Sequence, residues 1–271
     1  MPTKRQRRSE KSLKNLKKQR QKYPSLLSDI IEKSDIILEV LDARFPEKTR
    51  NIELEKEILI KNKKIIYVLN KSDIVDKKIK PSFFPYVFVS CRLRKGGKEL
   101  RDLIKKESKG IDKKNNEKII VGVVGYPNTG KSSLINLLIG KNKARTGADA
   151  GFTKGIQKLK LTTEITLLDS PGVIPKKEYS SSDMKAISRH TIVGGRSYSQ
   201  IKDPEIVIAR LIEDFKGILE KHYKIKAKGN SEILVEELGR KLNFLKKGGE
   251  VNFDKTSRKI LKDWQEGIIK P

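Results

Sequence analysis

The feature that most constrains this chain of 271 residues is a central segment, V-G-V-V-G-Y-P-N-T-G-K-S, at residues 121–132. Gly125, Gly130, Lys131 and Ser132 match the pattern G-x-x-x-x-G-K-[ST], known as the P-loop. An apolar run precedes the loop, and apolar residues at helical spacing follow it. The segment therefore predicts a buried strand, a tight glycine loop and the start of a helix. Such a loop turns backbone N–H groups and a helix N-terminus towards phosphate oxygens.

The side chains of the loop suit a nucleoside triphosphate that is bound together with Mg²⁺. Lys131 supplies a mobile positive charge for the β- and γ-phosphates, and we predict a catalytic role for it. The Ser132 hydroxyl is the predicted Mg²⁺ ligand from this loop. Thr129, Gly130 and Ser133 complete the predicted phosphate-binding set.

A second motif, N-K-S-D at residues 70–73, directly follows the apolar run 64–69 and is predicted to lie at the carboxyl end of a strand. Asp73 can accept hydrogen bonds from the N1–H and the N2 amine of guanine, whereas adenine offers neither donor. A buried carboxylate left unpaired is costly, so such a site rejects ATP strongly. The stem of Lys71 can lie along the base face, and Asn70 can hold both the base edge and the P-loop.

The tripeptide Ser90-Cys91-Arg92 follows the next predicted strand, where GTP-binding proteins place a short S-A-K-like loop. There a backbone N–H, here that of Cys91, meets guanine O6, and a hydroxyl, here that of Ser90, braces Asp73. Arg92 in place of the usual Lys is a minor departure. For Cys91 we favour a buried, inert thiol over a redox role.

The remaining ligands of the Mg²⁺ ion and the γ-phosphate are predicted after the P-loop helix. A glycine-rich loop there offers Thr153, whose hydroxyl can complete the Mg²⁺ shell and whose N–H can sense the γ-phosphate; Thr146 competes for this role. The segment D-S-P-G ends a predicted strand. Its Asp169 would hold Mg²⁺ through water, and the Gly172 N–H would touch the γ-phosphate.

Charge indicates a polyanionic partner. Lys and Arg number 61 against 34 Asp and Glu, which gives a net charge of +27. Residues 1–24 carry ten Lys/Arg and one Glu, and we favour an arm that grips RNA phosphates over a solubilising tail. The single Cys excludes a disulfide framework and favours a reducing, cytoplasmic location. We expect no membrane partner, because no apolar run approaches the length of a membrane span.

Alternating strand and helix patterns predict an α/β fold, with a nucleotide-binding sheet covered by helices on both faces at 25–175. A smaller all-α domain, predicted to bind RNA, follows at 176–271. Asp203, Ser231 and Asp254 are its predicted helix N-caps. Its predicted core consists of three apolar stripes: Ile206, Ala209, Ile212 and Leu219; Leu234, Leu238, Leu242 and Leu245; and Ile260, Leu261 and Trp264.

The order of the motifs is unusual, because N-K-S-D precedes the P-loop by 55 residues, whereas ordinary small GTPases place it last. In this the chain resembles the circularly permuted GTPases, most closely the YlqF/YawG family of ribosome-assembly GTPases. The resemblance covers about residues 25–271. It rests on D-A-R-F-P at 42–46, on the motifs above including G-F-T-K at 151–154, and on G-G-E-V-N-F-D at 248–254 with K-D-W-Q-E-G at 262–267.

The resemblance implies a Mg²⁺-dependent GTPase that acts in large ribosomal subunit assembly through nucleotide-dependent docking on rRNA. It also implies that Asn128 ligates a K⁺ ion beside the phosphates, and that K⁺ and ribosomal particles stimulate hydrolysis. Val173 stands where Ras-like enzymes place a water-orienting Gln, so we predict slow intrinsic hydrolysis. The histidine of the bacterial relatives' N-terminal segment has no counterpart before His190. A GTP-sensing RNA-binding module with negligible hydrolysis is the alternative.

Overall fold

The core of the protein is one mixed sheet. The structure, a computed structural model, describes residues 25–75, 80–112, 117–140, 157–170 and 184–270. The strands in these ranges are β1 (Ile36–Asp42), β2 (Lys64–Asn70), β3 (Tyr86–Phe88), β4 (Ile119–Gly125), β5 (Gln157–Lys160) and β6 (Ile165–Asp169). Their order in the sheet is β3-β2-β1-β4-β6-β5. Each neighbouring pair is parallel except β5–β6, which is antiparallel and closes one edge.

Helices cover both faces of this sheet, as the α/β prediction requires. The helices of this half are α1 (25–33), α2 (Pro46–Thr49), α3 (Ile52–Ile60), α4 (Gly97–Ser108) and α5 (Lys131–Ile139). On one face, α4 and α5 bury apolar residues against β1, β2 and β4. On the other, α1 and α3 pack against the sheet. All seven residues of β1 are buried, which explains why this central strand is a continuous apolar run with few polar residues.

The second half of the chain is a layer of helices. They are α6 (Met184–Ile192), α7 (Pro204–Asp214), α8 (Ile218–Tyr223), α9 (Ser231–Lys241) and α10 (Phe253–Gln265). The stripe of Ile260, Leu261 and Trp264 on α10 is confirmed as core, because all three are fully buried. The indole Nε1 of Trp264 donates to the carbonyl of Ile192 at 2.9 Å and thereby ties α10 to α6.

Two other predicted stripes were partly wrong. Ile206 is 47% exposed, because the buried face of α7 starts at Pro204 and recurs at Val207, Ile208, Leu211 and Ile212. Leu242 and Leu245 are 36% and 42% exposed. The reason is that α9 ends at Lys241, and residues spaced four apart share one face only within a helix.

Two of the three predicted N-caps were also displaced. α9 is capped by Asn230 instead of Ser231, and α10 by Asn252 instead of Asp254. Both asparagine side chains accept hydrogen bonds from first-turn N–H groups, so each cap lies one or two residues earlier than predicted. Asp203 does precede α7, but its side chain makes no capping bond.

The helical layer packs directly on the sheet half. Phe45, which follows β1, and Tyr126, which follows β4, both belong to the apolar cluster of the helical layer. The Phe45 ring lies 6.0 Å from Trp264 and 5.7 Å from Phe215 between centroids. The helical layer therefore lies against the edge of the sheet at which β1 and β4 end.

Some predictions fall outside the described residues, namely the basic arm at 1–24 and the domain boundary at 175/176, so the division into domains stays a prediction. Within the described ranges, every helix is too short or too polar to cross a bilayer.

Candidate nucleotide-binding site

Polar segments meet at the carboxyl edge of the sheet. β1, β2, β4 and β6 run parallel, so their carboxyl ends lie side by side. The motif N-K-S-D leaves β2, the P-loop leaves β4, and Asp169 ends β6. Ligands of open α/β sheets bind at this edge, where the strand order reverses.

The P-loop side chain of Lys131 is buried inside its own loop. Its ammonium donates to the carbonyls of Tyr126 at 2.6 Å and Gly125 at 3.1 Å. Burial lowers the pKa of Lys131 to about 8, although the charge of Asp169 opposes this shift. Gly130 has a φ of 95°, and a Cβ there would collide with the amide of Asn70, so glycine is required. The lysine is thus held among carbonyls, close to where phosphate oxygens would replace them.

This arrangement predicts that nucleotide binding takes up a proton. Near pH 8, about half of Lys131 is uncharged in the free protein, and phosphate favours the charged form, so binding of GDP takes up about half a proton. Affinity is therefore expected to fall as pH rises above 8, by up to about tenfold per pH unit. Isothermal titration calorimetry at pH 8 in two buffers of different ionisation enthalpy measures the uptake.

The matched control is Lys131→Arg, because guanidinium stays charged throughout this range. It should bind GDP with an observed enthalpy that is the same in both buffers. A buffer-independent enthalpy for the unmodified protein would contradict the prediction.

The end of β6 fits a magnesium ion. The Ser132 hydroxyl donates to Asp169 Oδ2 at 3.2 Å. The other carboxylate oxygen, Oδ1, is buried and has no hydrogen-bond partner among the described residues. Burial raises the pKa of Asp169, opposed by Lys131 and the bond from Ser132. Carboxylate and hydroxyl oxygens are the hard donors that Mg²⁺ prefers. In the described ranges, no three His, Cys, Asp or Glu side chains are arranged so that they could hold a metal ion, so a magnesium ion here would need oxygens of a bound phosphate.

The N-K-S-D motif and the loop at residues 90–92 form one hydrogen-bonded unit with the P-loop. The Asn70 amide donates to the Thr129 carbonyl at 2.7 Å and accepts from the backbone N–H of Cys91 at 3.3 Å. The Ser90 hydroxyl donates to Asp73 Oδ1 at 2.6 Å. The contacts expected of Asn70 and Ser90 within the protein are therefore present.

The thiol of Cys91 is half-buried. Burial raises its pKa to about 12, opposed by a hydrogen bond with Asn70 and assisted by the charge of Asp73. A thiolate is needed for redox or nucleophilic chemistry, so an inert thiol is the better description.

Lys71 makes a contact that the sequence did not suggest. Its ammonium pairs with the Asp42 carboxylate at 2.8 Å. Asp42 is fully buried and also forms a bidentate pair with Arg44. Although burial raises the pKa of Asp42, the charges of Lys71 and Arg44 hold it well below its usual range. Arg44 in turn donates to the Trp264 carbonyl at 2.6 Å. The D-A-R-F-P segment thus links the N-K-S-D motif to α10.

The helical layer supplies part of the site as well. A pocket of about 410 Å³ is lined by Asn70, Lys71, Asp73, Asn128 and Gly130 on the sheet side. From the helical layer, the residues that line it are Tyr198, Gln265 and Glu266. Gln265 is fixed by bonds from its amide to the carbonyls of Thr191 and Arg196. Sequence reasoning missed these lining residues, although Gln265 and Glu266 lie within the K-D-W-Q-E-G segment.

Asn128 is also held by the helical layer. Its amide nitrogen donates to the Gly194 carbonyl at 2.9 Å, and its own backbone is left-handed, with a φ of 59°. The P-loop is thus fastened to the loop after α6.

Other predicted site residues lie elsewhere. Thr153, Gly172, Val173 and the competing Thr146 lie outside the described residues. His190 is buried and His222 is exposed, and neither lines the pocket.

Comparison with known proteins agrees with this geometry. Residues 120–235 match the family model of 50S ribosome-binding GTPases. The chain is 42% identical over 253 residues to an uncharacterized GTP-binding protein of Methanocaldococcus jannaschii, which covers 90% of this chain and 65% of that protein. It is 33% identical over 255 residues to Nucleolar GTP-binding protein 2 of Neurospora crassa, with coverage of 90% and 40%. The chain therefore spans less than two thirds of the length of these curated relatives.

The structure is also similar to that of YlqF from T. maritima bound to GNP. The TM-score is 0.60 at 25% identity, and the match covers 91% of this chain and 94% of that one. The GDP-bound structure of the same protein gives a TM-score of 0.59. In this sheet the N-K-S-D motif follows β2 and the P-loop follows β4, so N-K-S-D comes first in the chain. A GTPase sheet with its motifs in this order is the circularly permuted form of the GTPase fold. Within this class, the chain is similar to YlqF of T. maritima in structure and to the GTP-binding protein of Methanocaldococcus jannaschii in sequence.

Proposed function

We propose that this protein binds GTP and hydrolyses it slowly to GDP and phosphate, and that the bound nucleotide controls docking on rRNA of the large ribosomal subunit precursor. The observation that carries the proposal is the bridge by Asn70 between the P-loop and the loop of Cys91. Through this bridge, a carboxylate suited to guanine and a loop suited to phosphates are held at one edge of the sheet.

Base selection would rest on Asp73. The bond from Ser90 engages Oδ1, which orients the carboxylate and leaves acceptor capacity for the two guanine donors. The backbone N–H of Cys91, whose bond to Asn70 is long at 3.3 Å, would be shared between Asn70 and guanine O6, and Lys71 would cover the base. Adenine would leave the carboxylate unpaired, so GTP and GDP are expected to bind far more tightly than ATP.

Phosphate binding would use Thr129, Gly130, Lys131, Ser132 and Ser133. A Mg²⁺ ion, held by Ser132 and through water by Asp169, would neutralise charge on the phosphate oxygens. The Asn128 side-chain oxygen would hold K⁺, because the amide nitrogen is already engaged with Gly194.

From their sequence positions, we propose two further groups at the γ-phosphate. The Thr153 hydroxyl would ligate Mg²⁺, and the Gly172 N–H would contact the phosphate. Val173 offers no side chain that can orient water, and for this reason we expect slow turnover without a partner.

The choice of rRNA as partner follows from three facts. The matching family model is described as ribosome-binding, several relatives are named nucleolar or nuclear GTP-binding proteins, and the net charge is +27. A polyanion is the partner that such a charge favours. The single cysteine suits action in a reducing cytoplasm.

Co-sedimentation with purified ribosomal subunits tests the proposal. In K⁺ buffer at moderate salt, we expect binding to the large subunit with a non-hydrolysable GTP analogue and release with GDP. Binding to both subunits that is independent of the nucleotide and is lost at high salt would contradict the proposal, because nonspecific attraction to phosphate behaves in this way.

Turnover is measured in the same buffer with and without large subunits. We expect multiple-turnover release of phosphate that K⁺ and the subunits stimulate. Nucleotide-dependent binding without turnover would instead identify a GTP-sensing RNA-binding module.

A further inference from the structure

An unusual surface segment follows the loop of Cys91. Residues 92–98, R-L-R-K-G-G-K, which we call the basic loop, carry four cations and no acidic residue. The four cations, Arg92, Arg94, Lys95 and Lys98, are exposed. None of them forms an ion pair with another residue in the part of the chain that the structure describes. Leu93 at its tip is 52% exposed, an apolar side chain surrounded by positive charge.

Many cations elsewhere on the surface are neutralised locally. In the helical layer, Arg210, Arg240, Arg258 and Lys259 each pair with an acidic residue four positions away. Each of these pairs carries no net charge. The basic loop lacks these partners, so its charge remains available for an external anion.

The basic loop is held in one shape. Ser90 and Lys95 exchange two backbone hydrogen bonds of 3.0 Å, which close its base. Gly96 has a φ of 80°, and a Cβ there would collide with the carbonyl of Phe88, so the chain passes close to the end of β3 at this point. A rigid loop loses little conformational entropy when it binds a partner.

The basic loop also connects two cavities. Arg92 lines the nucleotide pocket. Arg94, Lys95 and Lys98, together with Arg101, line a neighbouring groove of about 830 Å³. Asp73 lines both cavities. Asp73 and Glu99 also line the groove, so its four cations outnumber its carboxylates two to one, which favours a phosphate backbone as its occupant.

A short chain of hydrogen bonds joins the basic loop to the base-reading carboxylate. The backbone N–H of Leu93 donates to the Ser90 hydroxyl at 3.0 Å, and this hydroxyl donates to Asp73 at 2.6 Å. A partner that shifts the tip of the loop would therefore also shift the group that orients Asp73.

We propose that the basic loop is an RNA-docking element that binds phosphates of the RNA backbone, and that docking changes nucleotide affinity through Ser90. This rests on the proposed function, since it names the surface by which the protein would meet rRNA. Because linkage is reciprocal, a nucleotide held by Asp73 would change RNA affinity by the same factor.

The test compares two triple variants of equal charge. One is Arg94→Gln, Lys95→Gln and Lys98→Gln in the basic loop. The control is Lys33→Gln, Lys56→Gln and Lys118→Gln, three exposed cations of the sheet half that line neither cavity. Binding to fluorescein-labelled large-subunit rRNA fragments is followed by anisotropy from 50 to 300 mM KCl, with a GTP analogue present.

We expect the loop variant to reduce the slope of log Kd against log[KCl] by about 2 to 3, because each phosphate contact contributes about 0.7 to 0.9. The control should keep the slope of the unmodified protein. Equal slopes for the loop variant and the unmodified protein would overturn the inference alone. Absence of RNA binding by the unmodified protein would overturn the proposed function together with it. If the loop variant binds large subunits more weakly but binds the RNA fragments as before, the basic loop contacts a protein partner, and the inference of an RNA-docking element is overturned.

The coupling is tested by the dissociation rate of fluorescent GDP with saturating rRNA fragment. We expect RNA to change this rate about fivefold or more in the unmodified protein and to leave it unchanged in the loop variant. Equal changes in both proteins would contradict coupling through the basic loop.

Discussion

Asp73→Asn is expected to weaken GDP binding by about 10³-fold to 10⁴-fold and to create affinity for xanthosine diphosphate. The carboxylate is the acceptor for two guanine donors, and an amide presents one donor and one acceptor instead. Xanthine carries a carbonyl where guanine carries the amine, so it accepts from the new amide. The bond from Ser90 is retained, because the amide oxygen can still accept it.

Titration calorimetry with GDP, xanthosine diphosphate and ADP measures this change in specificity. Asp102→Asn is the matched control, since this residue is exposed on α4 and outside the pocket. It should bind GDP as the unmodified protein does. An Asp73→Asn protein that is folded by circular dichroism and still prefers GDP would show that another group reads the base.

Trp264→Ala is expected to lower the free energy of unfolding by about 3–5 kcal/mol. The indole is fully buried, packs against Phe45 and Phe215, and donates to the Ile192 carbonyl. Truncation would leave a large cavity and one buried carbonyl without its partner. Nucleotide affinity should fall as well, because Gln265 and the Arg44 contact on the same turn position the pocket wall.

Urea unfolding followed by circular dichroism measures the effect, because Trp264 is the only tryptophan and its fluorescence is lost with it. Trp264→Phe is the partial control, since it keeps an aromatic ring but loses the indole donor. Leu242→Ala, at a position that is 36% exposed, should cost far less. A loss below about 1 kcal/mol for Trp264→Ala would contradict the packing described for α10.

Much of the arrangement at the sheet edge was predictable, because its residues belong to short sequence motifs. The P-loop and N-K-S-D each span a strand end and a few following residues. The apolar runs before them reveal buried parallel strands, and the parallel arrangement brings their ends together. The structure accordingly has β2, β4 and β6 at their predicted places, with Asn70 and Thr129 in contact.

The helical layer was less predictable in detail. Periodicity locates an apolar face only while the helix continues and only when its starting residue is known. Ile206 and Leu242 were assigned to the core because the first and last residues of these helices were not known. In the structure, α7 turns a different face inward and α9 ends before Leu242. The displaced caps have a similar cause, because several residues near each helix start are chemically able to cap it.

The sequence by itself therefore determined the fold class, the permuted order of the motifs and the residue types that gather at the carboxyl edge of the sheet, because these depend on local spacing. Only the tertiary structure decided how the two halves are joined. Arg44 reaches a carbonyl 220 positions away, and Asn128 binds Gly194 across 66 positions. No local pattern encodes such pairs, since they arise only when burial of Phe45, Tyr126 and Trp264 in one core brings the helical layer onto the sheet edge.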